Sequence, residues 1–310
     1  DLSATHRLRG DASDEVWRQR FEQNLRNNTV RQNETDYGVA QCVRAGIEWL
    51  ERQRRRDRLF LWLDCFDPHE PWDPPAPFDA LYDPGYQGVA LVDPVPGPVE
   101  GYLSERELRH VKALYAGEVT FVDRWVGVFL DAVRRLGLME NTLVVLTSDH
   151  GEPLGEHGYI RKCRPENWEE LVHIPLLIRH PDGLGAGQRF GAFVQTCDLM
   201  PTLLHVLGIE GVVESPVHRN APPMHGRSLL PLMSGKADRV REYAYIGHYR
   251  QSWNIRSAEW SYHLWLNGNR APSLFCRATD PGEQRDVLAE NQGIGDALEL
   301  ALRRFVAGLA

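Results

Sequence analysis

Residues 142–158 read Thr142-Leu143-Val144-Val145-Leu146-Thr147-Ser148-Asp149-His150-Gly151-Glu152-Pro153-Leu154-Gly155-Glu156-His157-Gly158. The stretch opens as an apolar, β-branched run that predicts a fully buried strand, then switches to acids, imidazoles and glycines. A strand ending in carboxylates and imidazoles marks the site end of an open α/β sheet, whose crevice lies outside the carboxyl ends of its strands. Asp149 and His150 are neighbours, so on an extended backbone their side chains diverge. They share one ion only if the chain turns there, and Gly151 allows that turn.

The same grammar recurs upstream. Leu59-Phe60-Leu61-Trp62-Leu63 predicts a second buried strand, and it runs into Asp64-Cys65-Phe66-Asp67-Pro68-His69-Glu70-Pro71-Trp72. A third run, His173-Ile174-Pro175-Leu176-Leu177-Ile178, follows the centrepiece, with Pro175 placing it at a sheet edge or at a strand start. Between the first two lies the longest periodic stretch, Ser104 to Leu136. Leu108, Val111, Tyr115, Val122, Val126, Phe129 and Val133 share one face, Ser104 and Glu107 form a capping box, and Gly137 ends the helix. A shorter helix is predicted over 37–54 from Val39, Val43, Ile47 and Leu50. Residues 1–36 read as helical turns and loop, and 71–98 as an irregular Pro-rich excursion. These units predict an α/β sandwich: a central, mostly parallel sheet flanked by helices, spanning 1–235. From about 242 the texture changes. Tyr243–Ile246, Trp253–Ile255, Tyr262–Leu266 and Ser273–Phe275 are short and aromatic, and they predict an antiparallel meander. With a last helix over about 293–309, they form a small α+β subdomain over 236–310.

Composition bounds the function. The 310 residues carry a formal charge of −8, which disfavours nucleic acid as a partner. No run has the length of a membrane span, and Asp1-Leu2-Ser3 is not a signal peptide. The five cysteines are scattered and odd in number, which argues against a disulfide framework and slightly favours a reducing, cytoplasmic location. Only Lys112, Lys162 and Lys236 are lysines among 35 basic Lys and Arg residues, so a lysine within a polar motif stands out.

With these residues in view, the chain resembles the sulfatases of the alkaline-phosphatase superfamily. Seven stretches carry the resemblance in order. They are Asp67–Trp72, Leu146–Gly151, Leu154–Gly158 followed by Lys162, Glu169-Glu170 before His173–Leu176, Asp198–Thr202, Gly226–Leu232 and Asp280–Glu283. The Asp-His pair, with a lysine beyond it, looks most like the iduronate-2-sulfatase type. The resemblance implies an alkaline-phosphatase-like fold and hydrolysis of a sulfuric ester. It implies Asp149 and His150 as metal ligands, Lys162 and His69 against the sulfate, and His69 as proton donor to the leaving group. Glu156, His157 and Glu170 are read as groups that orient Lys162 and its loop. The metal implied is Ca²⁺; ligand chemistry alone leaves Mg²⁺, Mn²⁺ and Zn²⁺ open. His225 and His248 read as ordinary loop histidines.

One departure matters. Family members carry an Asp-Asp metal pair and a C/S-x-P-x-R signature near the N-terminus, whose Cys or Ser becomes formylglycine, the nucleophile. Neither occurs here; Cys163-Arg164-Pro165-Glu166-Asn167 has Asn where Arg belongs. The expectation is therefore a chain whose nucleophile segment lies upstream of Asp1, inactive in isolation, with an incomplete central sheet and an exposed apolar edge. The alternatives are a phosphate or phosphonate ester hydrolase of the same superfamily and a non-catalytic binding remnant. The substrate expected is a small-molecule or saccharide sulfate ester; oligomeric state stays open.

Overall fold

In a computed structural model, the described residues are 5–162, 167–209, 225–248, 250–266, 268 and 270–308. Most of the Cys163–Asn167 stretch and of the 210–226 loop therefore lies outside them. The chain forms two compact units, one of residues 1–142 with 152–163, the other of 143–151 with 164–310.

The first unit is built on helices. The N-terminal region forms α1 (Asp14–Asn28), and α2 (Gly38–Gln53) and α3 (Glu105–Arg135) follow the predicted periodicity within a residue or two. The Ser104–Glu107 capping box is formed, satisfying N–H groups that the first turn of α3 would leave unpaired. Val39, Ala40 and Val43 of α2 bury against Phe121 and Trp125 of α3. A second cluster joins Phe21 of α1, Trp72, Leu91, Val95, Val111 and Ile160. Burial of each such side chain contributes roughly 1.5–3 kcal/mol. Residues 71–98 are thus irregular but anchored from inside by Trp72, Leu91 and Val95. A two-residue pairing of β1 (Gly97–Pro98) with β3 (Tyr159–Ile160) closes this unit.

The run 59–63 departs from expectation. Phe60 and Trp62 are 65% and 67% exposed, while Leu59, Leu61 and Leu63 turn inward. Leu63 lies so close to α2 at Gly46 that an added Cβ would meet its Cδ2 at 2.7 Å. Among the described residues no backbone hydrogen bond ties 59–63 to a neighbouring strand. An all-apolar run does not reveal which of its faces has a partner. Here only one face does, and Phe60, Trp62 and Phe66 are left as an exposed apolar stripe.

In the second unit β2 (Val144–Thr147) pairs with β4 (Leu176–Arg179). The pairing is antiparallel, with Val145 opposite Ile178 and Thr147 opposite Leu176, and β2 is half-buried. The expected central parallel sheet is not what the described strands form. Apolar runs of this length suit either direction, and direction is set by the connection. Among the described residues of this unit that connection includes only the single turn α4 (Glu169–Val172), not a crossover helix, before the chain returns alongside β2. Pro175 directly precedes β4, at a strand start as its missing N–H requires.

The helix α5 (Leu199–Val206) and the turn α6 (Leu230–Met233) lead to the meander β5 (Ala244–His248), β6 (Ser252–Arg256), β7 (Trp260–Trp265) and β8 (Ser273–Cys276). It is antiparallel throughout, in sequential order, as the aromatic spacing predicts. The final helix α7 (Gln292–Ala307) buries Leu298 and Leu302 against Ile255, Tyr262 and Leu274. No helix among the described residues is long and apolar enough to cross a membrane.

Candidate functional site

The turn after β2 brings Asp149 and His150 together. Asp149 Oδ2 lies 3.6 Å from His150 Nε2, and Asp149 Oδ1 accepts the His150 backbone N–H at 2.9 Å. His150 Nδ1–H donates to the Gly151 carbonyl at 2.7 Å. That bond fixes the tautomer and leaves the Nε2 lone pair free to ligate. Gly151 is needed for closeness rather than for an unusual φ. An added Cβ would meet the Glu170 carbonyl at 2.1 Å, and Gly151 N–H donates to Leu171 O at 2.7 Å. Glu170 thus stands on α4, whose backbone seats the turn. The same turn is anchored from β6: Arg256 pairs with Glu169 and, at 2.9 Å, with the buried Glu283. The pair fits a divalent cation as two of its ligands, one hard oxygen and one imidazole nitrogen. Among the described residues no group of three or more His, Cys, Asp or Glu side chains is arranged to hold a metal.

In the first unit, His69 and Lys162 meet at one carboxylate. Glu70 is 1% exposed. Its Oε2 lies 3.4 Å from Lys162 Nζ and 3.4 Å from His69 Nδ1, and its Oε1 is held by Arg161 Nη2. His69 Nδ1–H donates to the Glu70 backbone carbonyl at 2.8 Å, and the ring lies against Phe66, centroids 4.1 Å apart. Arg161 is itself buried, pairing with Asp93 at 2.6 Å and donating to Pro94 O at 3.0 Å. Arg20 and Asn24 of α1 back Asp93 at 3.3 and 3.2 Å. Lys162 has a second partner in Glu152 Oε2 at 3.3 Å.

Burial alone would raise the Glu70 pKa, but the charges of Arg161, Lys162 and His69 hold it below the ordinary glutamate value. Glu152 goes the other way. Burial, then the negative charge of Glu70, pushes it up to about 7. One of its oxygens, Oε1, is buried without a hydrogen-bond partner. Deeper in the unit, Glu118 of α3 is pushed up to about 8 by burial and by the charges of Asp67 and Asp73.

Glu156 pairs with Lys112 at 2.8 Å and accepts the Leu154 N–H at 2.6 Å, so it braces the loop against α3; His157 lies half-buried on the same turn. His225 and His248 line one cleft of about 1060 Å³ in the second unit, with Arg227, Arg241, Tyr245 and Trp253. Sequence reasoning quoted Glu70 and Glu152 within motifs, left Arg161 outside them, and gave none of the three a role. Adjacency of Glu70 to His69 and of Arg161 to Lys162 was the available signal; the pairing across 92 positions was not.

The sulfatase family pattern matches residues 9–209, and the pattern for the C-terminal part of N-sulphoglucosamine sulphohydrolase matches 155–304. An arylsulfatase of Clostridium perfringens is 28% identical over 268 residues, covering 79% of this chain and 52% of that protein. The phosphonate monoester hydrolase of Agrobacterium radiobacter shares the fold, with a TM-score of 0.72 at 20% identity over 90% of this chain and 62% of that one. A solved complex with D-glucosamine-2-N,6-O-disulfate as substrate is similar at 25% identity and a TM-score of 0.56, over 64% and 41%. The chain spans about half the length of the curated relatives it matches.

Proposed function

This chain belongs to the sulfatase family, and from that premise we propose that it carries the metal-binding and charge-neutralising part of an active site that hydrolyses sulfate monoesters. In this reading Asp149 and His150 hold a divalent cation, Ca²⁺ first, while Lys162 meets the ester's anionic group and His69 its leaving group. The observation that carries it is the meeting of Lys162 Nζ and His69 Nδ1 at one oxygen of Glu70. A point charge for the anion and a proton carrier for the leaving group are what ester cleavage requires of side chains.

Lys162 has three N–H donors, and two carboxylates face it. The remaining donor is available to a sulfate oxygen. His69 keeps its Nδ1 proton on a carbonyl, so Nε2 is the nitrogen that takes up the ring's second proton and, from the imidazolium, hands it to the departing alkoxide. When bound, the cation adds positive charge at the sulfate, and formylglycine on a segment outside this chain supplies the attacking hydroxyl. The exposed Phe60–Trp62–Phe66 stripe and the unpaired 59–63 backbone support a missing strand partner for that segment. The arylsulfatase relative and the disulfated glucosamine complex support an aryl or saccharide sulfate as substrate.

The test is an aryl sulfate assay of the 310-residue chain, alone and joined to a formylglycine-bearing segment, beside the matching phosphonate ester. Turnover of the sulfate only in the joined protein supports the proposal. Robust turnover by the chain alone places the nucleophile within it. Preference for the phosphonate overturns the substrate class.

A further inference from the structure

Lys162 and His69 lie 93 positions apart in sequence, and the contact that joins them runs through Glu70. We propose that Glu70 is the positioning residue that yokes them, setting the ammonium and the imidazole at fixed places relative to one another. The inference rests on the reading of Lys162 and His69 given above and adds to it a group that touches neither substrate nor metal.

The geometry is specific to Glu70. Its two oxygens are divided: Oε1 goes to Arg161, while Oε2 faces Lys162 and His69 at 3.4 Å each. Arg161 is 4% exposed and is locked in turn to Asp93, itself fully buried. The carboxylate therefore rests on a rigid buried base and cannot swing out to water as a surface acid does. Lys162, 26% exposed, and His69, 25% exposed, are the cluster's outlets to solvent. A flexible four-carbon stem loses rotamer freedom when tethered, so an incoming anion finds the ammonium already placed. For His69, a carbonyl and a carboxylate both face Nδ1, so that nitrogen keeps its proton and Nε2 faces the reaction.

The chain has three lysines, which makes the tether directly observable. In ¹⁵N-labelled wild-type chain, with Lys162→Arg used for assignment, the Lys162 ammonium should give a slowly exchanging signal, unlike that of Lys236. Equally fast exchange at both would overturn the proposal with no variant required. Inorganic sulfate then serves as the anion probe on the full chain. Glu70→Gln removes a negative charge, so a carboxylate that merely opposes anions predicts tighter sulfate binding in the variant. A positioning role predicts binding about tenfold weaker, the worth of one charge-assisted hydrogen bond. Unchanged or tighter binding by a folded Glu70→Gln chain overturns the inference. Sulfate binding that is indifferent to Lys162→Ala overturns the underlying reading instead, and the ammonium measurement then still decides the tether.

Discussion

The Asp149–His150 turn and the Glu70 cluster are built on opposite principles. Asp149 is 87% exposed at its side chain, and the hydrogen bonds of the pair reach only their immediate sequence neighbours. The Glu70 cluster is buried, and its long-range bonds, Arg161 to Asp93 and Lys162 to Glu70, join residues 68 and 92 positions apart. An exposed pair is assembled at little cost in desolvation and, on the proposed reading, is organised only when an ion binds. A buried ion cluster incurs its desolvation cost during folding and is organised before any ligand arrives. The difference predicts that substitutions at the turn change function with little effect on stability, and that substitutions in the cluster change both.

The largest expected effect is on turnover. In a protein carrying the nucleophile segment, Asp149→Ala should lower the rate by about 10³-fold or more, through loss of several kcal/mol of metal-borne charge stabilisation. Lys162→Ala should cost about 10²-fold, falling on kcat more than on KM, because its charge meets charge that develops in the transition state. Steady-state kinetics on both variants checks this, and equal losses in KM alone would break the assignment.

Next is Arg161→Ala, which removes the buried cation shared by Glu70 and Asp93 and leaves them only the more exposed Lys162, His69 and Arg20. Urea unfolding should show a loss of about 3–5 kcal/mol. A loss under about 1 kcal/mol would mean that the cluster is not the rigid base described. Glu118→Gln should act in the opposite direction. The folded pKa of Glu118, about 8, lies above its ordinary 4.5, so unfolding releases a proton between those values. Wild-type stability therefore falls as pH rises through that window. The variant should lose this slope and be more stable at pH 7 by roughly 3 kcal/mol, read from denaturant midpoints at pH 5, 7 and 8. The smallest effect is Asp149→Ala on stability, expected within about 0.5 kcal/mol by the same measurement.

What the residues could announce varied with how far each bond reaches. The capping box of α3 and the turn at Asp149 span three residues or fewer, and both are written locally. The meander was legible because turn residues separate its aromatic runs and each strand pairs with the next. Two features of sheet construction were not legible. The direction of β4 against β2 depends on how the chain returns, and the exposure of Phe60 and Trp62 depends on which face acquires a partner.

By itself, the sequence determined the helices α2 and α3 and the C-terminal sheet, and it singled out Asp149, His150, Lys162 and His69 as candidates. Periodicity, capping and side-chain type are properties of neighbours along the chain. Only the tertiary structure decided that Glu70 stands between Lys162 and His69, that Arg161 and Asp93 hold it there, and that Glu118 carries a raised pKa. Those facts arise from burial and from charges meeting across dozens of residues, and low dielectric acts on distance in space rather than on distance in sequence.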